Sequence, residues 1–100
     1  MVEFRPSLMA TKTFIPCLVS PGFFSSEAYV VLNAGASFVV DRRDVRGSSF
    51  PEQGEIRGKV AAYVIENKGE QSLVELPGEP VSGGQPTWVP TSELEMVNAA

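Results

Sequence analysis

The chain has 100 residues, of which 43% are hydrophobic and 20% charged, so it can bury one modest core and is not compositionally disordered. It has no histidine and one cysteine, which excludes an intrachain disulfide and removes the commonest general base and metal ligand. The net charge of −4 is uneven, and the second half, with three basic and eight acidic residues, argues against wrapping a phosphate backbone.

Residues 1–12 show neither helix nor strand periodicity and predict a flexible N-terminal arm before a single β-barrel domain over residues 13–97. Met9 is a candidate alternative start, which would make residues 1–8 a dispensable leader. The start lacks the apolar run of a secretion signal, and no apolar stretch approaches the roughly 20 residues of a membrane helix. With one cysteine, we expect a soluble cytoplasmic protein.

The first predicted strand is Thr13–Val19, and its proline at position 16 cannot donate to a ladder. That proline predicts either an edge strand or a bulge. A turn at Ser20–Gly22 follows, and then the pair Phe23 and Phe24. In an extended segment these two rings would point to opposite faces, one towards the core and one towards solvent.

One short phrase occurs twice in the chain, as Ala28–Ala36 and again as Ala62–Glu70. Five of the nine positions are identical at an offset of 34 residues. Each copy is a run of β-branched and aromatic residues that ends in Asn-x-Gly, which is typical of a hairpin with a three-residue loop. The repeat therefore predicts two hairpins, with loops at Asn33–Gly35 and Asn67–Gly69.

The likeness continues beyond the hairpins, since Val39–Val45 and Trp88–Leu94 both read as two apolar residues, three turn residues, an acid and an aliphatic. Between the second hairpin and its closing segment lies an insertion, Pro77–Pro86, whose three prolines and three glycines predict an exposed loop. The collinear order favours an internal pseudo-repeat. Convergence of two hairpins on common turn residues remains the alternative.

These elements predict an all-β chain: a small antiparallel curled sheet or barrel of five to six strands, with one short helical turn near the C-terminus. Thr87–Leu94 resembles the end of SH3-type barrels, in which a strand reaches an aliphatic-proline pair, makes one helical turn and enters a last short strand. Glu95–Val97 would be that strand. The resemblance implies an SH3-like fold.

The sequence departs from the SH3 family where that family binds proline-rich peptides. Glu93 occupies the position of a family tyrosine, and the family's Ala-Leu-Tyr-Asp-Tyr opening and paired tryptophan are absent. Of the peptide-binding groove, Pro90 alone has a counterpart here. The resemblance therefore implies a fold and not recognition of proline motifs.

Catalytic chemistry is not indicated. Without histidine, Cys17 has no partner for nucleophilic catalysis, and we expect it to be a small buried hydrophobe. The acid pairs Asp41/Asp44, Glu52/Glu55 and Glu93/Glu95 are expected on the solvated surface, and no glycine-rich phosphate loop opens a helix. We therefore predict no enzyme, cofactor or metal.

Three arginines on the first closing turn, Arg42, Arg43 and Arg46, form the first candidate binding feature. The guanidinium group of arginine forms bidentate hydrogen bonds to phosphate and carboxylate groups, so the cluster indicates an anion or nucleic-acid contact. The alternative, which we favour, is a surface turn whose charge is partly neutralised by Asp41 and Asp44.

Aromatic residues beside turns form the second candidate feature: Phe23 and Phe24, Phe50 next to Pro51, and Trp88 close to Pro90. Aromatic anchors on loops are typical of protein interfaces. Burial in the core is the alternative, and we favour it for any single ring.

We predict a non-catalytic binding or assembly module whose partner is another protein or a second copy, with pairing along an exposed Phe14–Val19 edge as one route. The first alternative is a nucleic-acid-associated module that uses Arg42, Arg43 and Arg46. A further alternative is a small-ligand binder with its pocket inside the curled sheet. No membrane partner is expected.

Overall fold

The computed structural model describes residues 11–47 and 53–96. Within these ranges the strands are β1 (Thr11–Pro21), β2 (Glu27–Leu32), β3 (Ser37–Asp41), β4 (Val45–Arg46), β5 (Ile56–Lys68), β6 (Gln71–Glu75), β7 (Gly78–Ser82), β8 (Thr87–Pro90) and β9 (Glu95–Met96). Two 3₁₀ turns, Arg42–Asp44 and Thr91–Glu93, precede β4 and β9. The all-β class and the helical turn near the C-terminus are confirmed, and the described residues form nine strands rather than five or six.

All strand pairs are antiparallel, and the sheet runs in the order β7-β3-β2-β1-β5-β6-β8, with β4 added to β5 and β9 added to β1. Only Leu76 and Pro77 separate β6 from β7, although these strands lie far apart in that order. The sheet must therefore curl until β7 reaches β3. The result is a half-barrel, compatible with a small β-barrel fold.

β1 lies in the middle of this sheet, which makes the predicted edge at Phe14–Val19 wrong. On one edge it pairs with β5 along its whole Thr11–Val19 stretch. On the other edge it pairs with β9 at Thr13 and Phe14 and with β2 from Cys17 onwards. Between β9 and β2 this second edge has a gap at Pro16, where a residue without an N–H can sit without breaking a ladder hydrogen bond.

The core lies on the concave face of the curled sheet. Alternate residues of β2 are buried, which is the pattern of a strand with one face in the core. The buried apolar cluster draws on six strands and two loop positions, and its members are Ile15, Cys17, Val19, Ala28, Val30, Leu32, Ala36, Phe38, Val40, Val60, Ala62, Val74, Leu76 and Val89. Both repeated phrases contribute to one core.

The two predicted hairpins are present, and their turns differ. The first has the three-residue loop predicted at Asn33–Gly35, with Gly35 at a φ of 104°. In the second, Lys68 pairs with Gln71, so the turn is the two residues Gly69–Glu70 and not Asn67–Gly69. Gly69, at a φ of 71°, takes the first turn position, where a two-residue hairpin of type II′ requires glycine.

The insertion at Pro77–Pro86 is not a simple loop, because it contains β7, which pairs with β3. Its residues are mostly exposed, as predicted, but its backbone extends the sheet. The remaining Gly83–Pro86 segment is held by Gln85, whose amide bonds the backbone N–H and C=O of Leu76 and the C=O of Gly78. The prediction missed this strand because its pairing partner is distant in sequence.

No helix in the described residues is long and apolar enough to cross a membrane. Residues 1–10, which carry most of the predicted arm and the candidate start at Met9, lie outside the described residues, as do Phe50, Pro51 and Val97.

We expect Gly78→Ala to destabilise the protein by about 2 kcal/mol, since a Cβ here would collide with the carbonyl oxygen of Val39 and lie 2.6 Å from Cγ1 of Val40. Urea unfolding measures the change. The matched control is Gly84→Ala, whose Cβ would meet its nearest neighbour at 3.7 Å and which has no positive φ. Equal stability losses in the two variants would contradict a tight β3–β7 contact.

Candidate functional site

The predicted aromatic pair is solvent-exposed. Phe23 is 96% exposed and Phe24 is 69% exposed, so the expected burial of one ring in the core is wrong. The rings do not alternate across a sheet because they lie in the loop between β1 and β2 rather than in an extended strand. Two large apolar side chains, adjacent in sequence, are thus exposed to solvent. A role in the hydrophobic core therefore does not explain why these positions are aromatic.

The loop that carries these rings is held by hydrogen bonds at both ends. The N–H of Gly22 donates to the carbonyl of Glu27 at 3.2 Å, and the N–H of Glu27 donates to the carbonyl of Phe24 at 2.9 Å. Arg42 reaches the same loop from the first 3₁₀ turn: its Nη1 donates to the carbonyl of Ser25 at 2.8 Å and its N–H to that of Ser26 at 2.9 Å. The structure therefore brings Arg42 together with the aromatic loop.

Phe23 also borders a groove of about 270 Å³ on the outer face of the sheet, which we call the apolar groove. Its lining residues are Pro21, Gly22, Phe23, Tyr29, Val39 and Val81. Tyr29 and Val39 are direct partners across β2 and β3. Val81 lies at an irregularity in the β3–β7 register, where a bulge can redirect a side chain.

The other two arginines of the first closing turn make different contacts. Arg43 is exposed, and its Nε lies 3.8 Å from Oδ1 of Asp41, which also accepts the N–H of Arg43. Nearby, burial raises the pKa of the Asp44 carboxyl, and the positive charge of Arg43 offsets part of that rise. Arg46 instead lies over the ring of Phe14, with its guanidinium carbon 4.0 Å from the ring centre.

Arg46 borders a second groove of about 480 Å³, which we call the basic groove. Its lining residues are Pro16, Arg46, Gly47, Arg57, Gly58, Lys59 and Glu95. Sequence reasoning missed Arg57 and Lys59, although their spacing of two residues on a strand placed them on one face. The sequence did not predict that β4 pairs with β5. This pairing places Arg46 directly opposite Lys59.

Trp88 and Pro90 lie on a third surface, the outer face of β8. Trp88 is partly exposed, so its expected core burial is also wrong. It stands directly opposite Leu73 on β6, and Nζ of Lys68 lies 5.6 Å from the centre of its ring. Pro90 is half-buried and precedes the second 3₁₀ turn. Neither residue lines the apolar groove or the basic groove.

Cys17 is buried in the core cluster, as predicted. Its burial raises the pKa of the thiol to about 12. Because the folded pKa lies above the unfolded value, the thiol leaves the stability unchanged below the unfolded pKa, and stability falls as the pH rises from there towards the folded pKa. In residues 11–47 and 53–96 no three histidine, cysteine or acidic side chains come together as metal ligands.

Comparison with known proteins gave no match to any protein-family model, curated protein or solved structure.

We expect Arg42→Ala to loosen the aromatic loop, since it removes the side-chain hydrogen bond to Ser25, at a cost of about 1 kcal/mol. Hydrogen exchange of the amides of Gly22 and Glu27 should accelerate. Arg43→Ala removes an adjacent arginine of the same charge that does not bond the loop carbonyls, and should leave these amides unchanged. Equal acceleration in both variants would show that charge, and not the bond, orders the loop.

We expect N-ethylmaleimide to label Cys17 slowly in the native protein and rapidly in denaturant, because burial suppresses both the thiolate and its access. Mass spectrometry at mildly alkaline pH gives the labelling rate, with glutathione as the reference thiol. A native rate equal to that of glutathione would refute the buried position.

Proposed function

We propose that this protein is a non-catalytic binding or assembly module whose partner is another protein or a second copy of itself. The observation that carries the proposal is the near-complete exposure of Phe23 beside Phe24 on an ordered loop. Phe23 lines the apolar groove and Phe24 follows it in the loop, and we call the two rings and the groove together the aromatic-loop surface. Exposed apolar surface of this kind marks interaction sites in soluble domains.

The energetics favour the aromatic-loop surface as an anchor for a partner. Burying one phenylalanine side chain contributes about 1.5–3 kcal/mol. The loop is already held by its own hydrogen bonds and by Arg42. Binding of a partner would therefore cost little conformational entropy of the loop. Tyr29, Val39 and Val81 supply a recess beside the exposed rings. An aromatic anchor beside an apolar recess is the usual composition of an interface centre.

Self-association is the form of this function that the strand order favours. β7 is the last strand at one end of the sheet and carries Val81 of the aromatic-loop surface. A second copy that paired along β7 would extend the sheet and bring two aromatic-loop surfaces next to each other. The edge at Phe14–Val19 is not available for this purpose, since β1 is paired on both sides.

We also propose that the half-barrel is SH3-like, on the strength of its closing segment. β8 ends at Pro90, one 3₁₀ turn follows, and β9 then pairs with β1. Glu93, at the family's tyrosine position, accepts a hydrogen bond from Nδ2 of Asn33 at 3.4 Å, which supports a structural role and no peptide groove. We place the protein in the cytoplasm, because its lone cysteine suits a reducing compartment.

The nucleic-acid alternative built on Arg42, Arg43 and Arg46 stays a prediction. Arg42 bonds the aromatic loop, Arg43 lies close to Asp41, and Arg46 lies over Phe14, so the three side chains make separate contacts. The alternative of a small ligand inside the curled sheet also stays a prediction. Both grooves described above open on surface residues rather than on the core cluster.

We expect the weight-average mass to rise with protein concentration in light scattering, and the double variant Phe23→Ser/Phe24→Ser to remain monomeric. The reason is that the double variant removes both exposed rings and, with them, the apolar area that a second copy would bury. Ile65→Ser is the matched control, since it also removes a partly exposed apolar side chain, at a distance in sequence from the loop.

A wild-type chain that stays monomeric at every concentration would sink the self-association proposal. An Ile65→Ser variant that dissociates as readily as the double variant would locate the interface elsewhere.

A further inference from the structure

The basic groove carries an arrangement of charge that the fold itself does not require. Arg46 on β4 lies directly opposite Lys59 on β5, and Lys59 in turn lies opposite Pro16 on β1. Directly opposed residues share a face of the sheet, and Arg57 joins that face two residues before Lys59. Three basic side chains are thus gathered on one patch of a chain whose net charge is −4.

Like charges directly opposite each other on neighbouring strands destabilise a sheet. The patch offers one carboxylate in return, since Glu95 on β9 forms an ion pair with Nζ of Lys59. Arg46 lies over the ring of Phe14, and no carboxylate of the described residues forms an ion pair with it. A like-charge pair of this kind, only partly compensated, is a local conflict that is expected at functional sites.

Arg57 is the least compensated of the three. It is exposed on β5, and within the described residues no carboxylate forms an ion pair with it. Its five N–H donors form a planar fork that matches a phosphate or carboxylate group. Among the described residues, the patch therefore offers Arg57 without an ion pair, Arg46 against an aromatic ring, and Lys59 paired with Glu95.

We propose that the basic groove binds a small molecule through its phosphate group. The volume of about 480 Å³ exceeds the space that one phosphate needs and falls within the range of small-molecule sites. Pro16, Gly47 and Gly58 line it without polar side chains, so its polar lining consists of three cations and the carboxylate of Glu95. Arg57 and Arg46 contribute forked donors, and Lys59 contributes a point charge.

A small phosphate ligand fits this groove better than a nucleic acid. None of the described lining residues is aromatic, so the groove lacks the stacking platforms on which single-stranded bases rest. The acidic balance of the whole chain opposes a long polyanion, which would extend beyond a patch this small. A small phosphate monoester is short enough to contact only the three basic side chains of the patch.

The test is a chemical-shift titration of the isotope-labelled full chain with three probes: adenosine monophosphate, adenosine and inorganic phosphate. We expect saturable shifts at Arg46, Arg57 and Lys59 with the monophosphate and none with adenosine. If inorganic phosphate binds as tightly as the monophosphate, the groove recognises the free phosphate ion and makes no use of the rest of the ligand. No saturable shift with either phosphate overturns the proposal.

Substitutions separate a defined site from general attraction of anions. Arg57→Gln should weaken binding by about tenfold, because it removes charge-assisted hydrogen bonds. Lys59→Gln and Lys68→Gln form a matched pair, since both lysines lie on β5 and each has a glutamate partner. Lys59→Gln should weaken binding and Lys68→Gln should not. Glu95→Gln should tighten binding, because the competing carboxylate is removed.

If Lys59→Gln and Lys68→Gln weaken binding of the monophosphate equally, the binding depends on net charge alone, and the proposal of a defined site is wrong. A single-stranded oligonucleotide that binds more tightly than the monophosphate, with a steep dependence on salt, would also overturn the proposal in favour of a nucleic-acid surface. The folded state of each variant is checked by its unliganded spectrum. All four substituted side chains are exposed, so we expect the variants to fold.

Discussion

The pairing of β1 on both of its edges is the constraint on which the rest of the structure depends. One edge binds β5 from Thr11 to Val19, and the other is divided between β9 and β2. Without β1, the strand order would be divided into two groups, β7-β3-β2 and β5-β6-β8, that no strand pair joins. β1 joins them into one sheet and supplies Ile15, Cys17 and Val19 to the common core.

The curl of that sheet separates two kinds of surface. The short β6–β7 connection brings β7 against β3, and this closes the concave face around apolar side chains. The outer face of the sheet carries two grooves whose lining residues differ in polarity and charge. β2, β3 and β7 bear the apolar groove beside Phe23, whereas β1, β4 and β5 bear the basic groove. An apolar partner and an anionic ligand would therefore not compete for one site.

Local patterns predicted the hairpins, because the information for a turn lies within a few residues. Gly35 behaves as its phrase predicts, since a left-handed position after Asn-x is a local requirement. The same phrase misplaced the second turn, where β5 continues to Lys68 and the hairpin closes on two residues. The proline- and glycine-rich sequence around β7 predicts a loop, and it forms a strand through its pairing with β3. The exposure of both Phe23 and Phe24 has no local signal, because it depends on the hydrogen bonds that shape their loop.

The sequence by itself determined the all-β class, the two hairpins, the closing helical turn and the burial of Cys17. These follow from residue type and short-range spacing, which act within one element. The tertiary structure alone decided that β1 is central, that Arg42 ties down the aromatic loop, and that Arg46 faces Lys59. Each of these depends on strand register or on contacts between residues far apart in the chain, and such contacts leave no local periodicity to read.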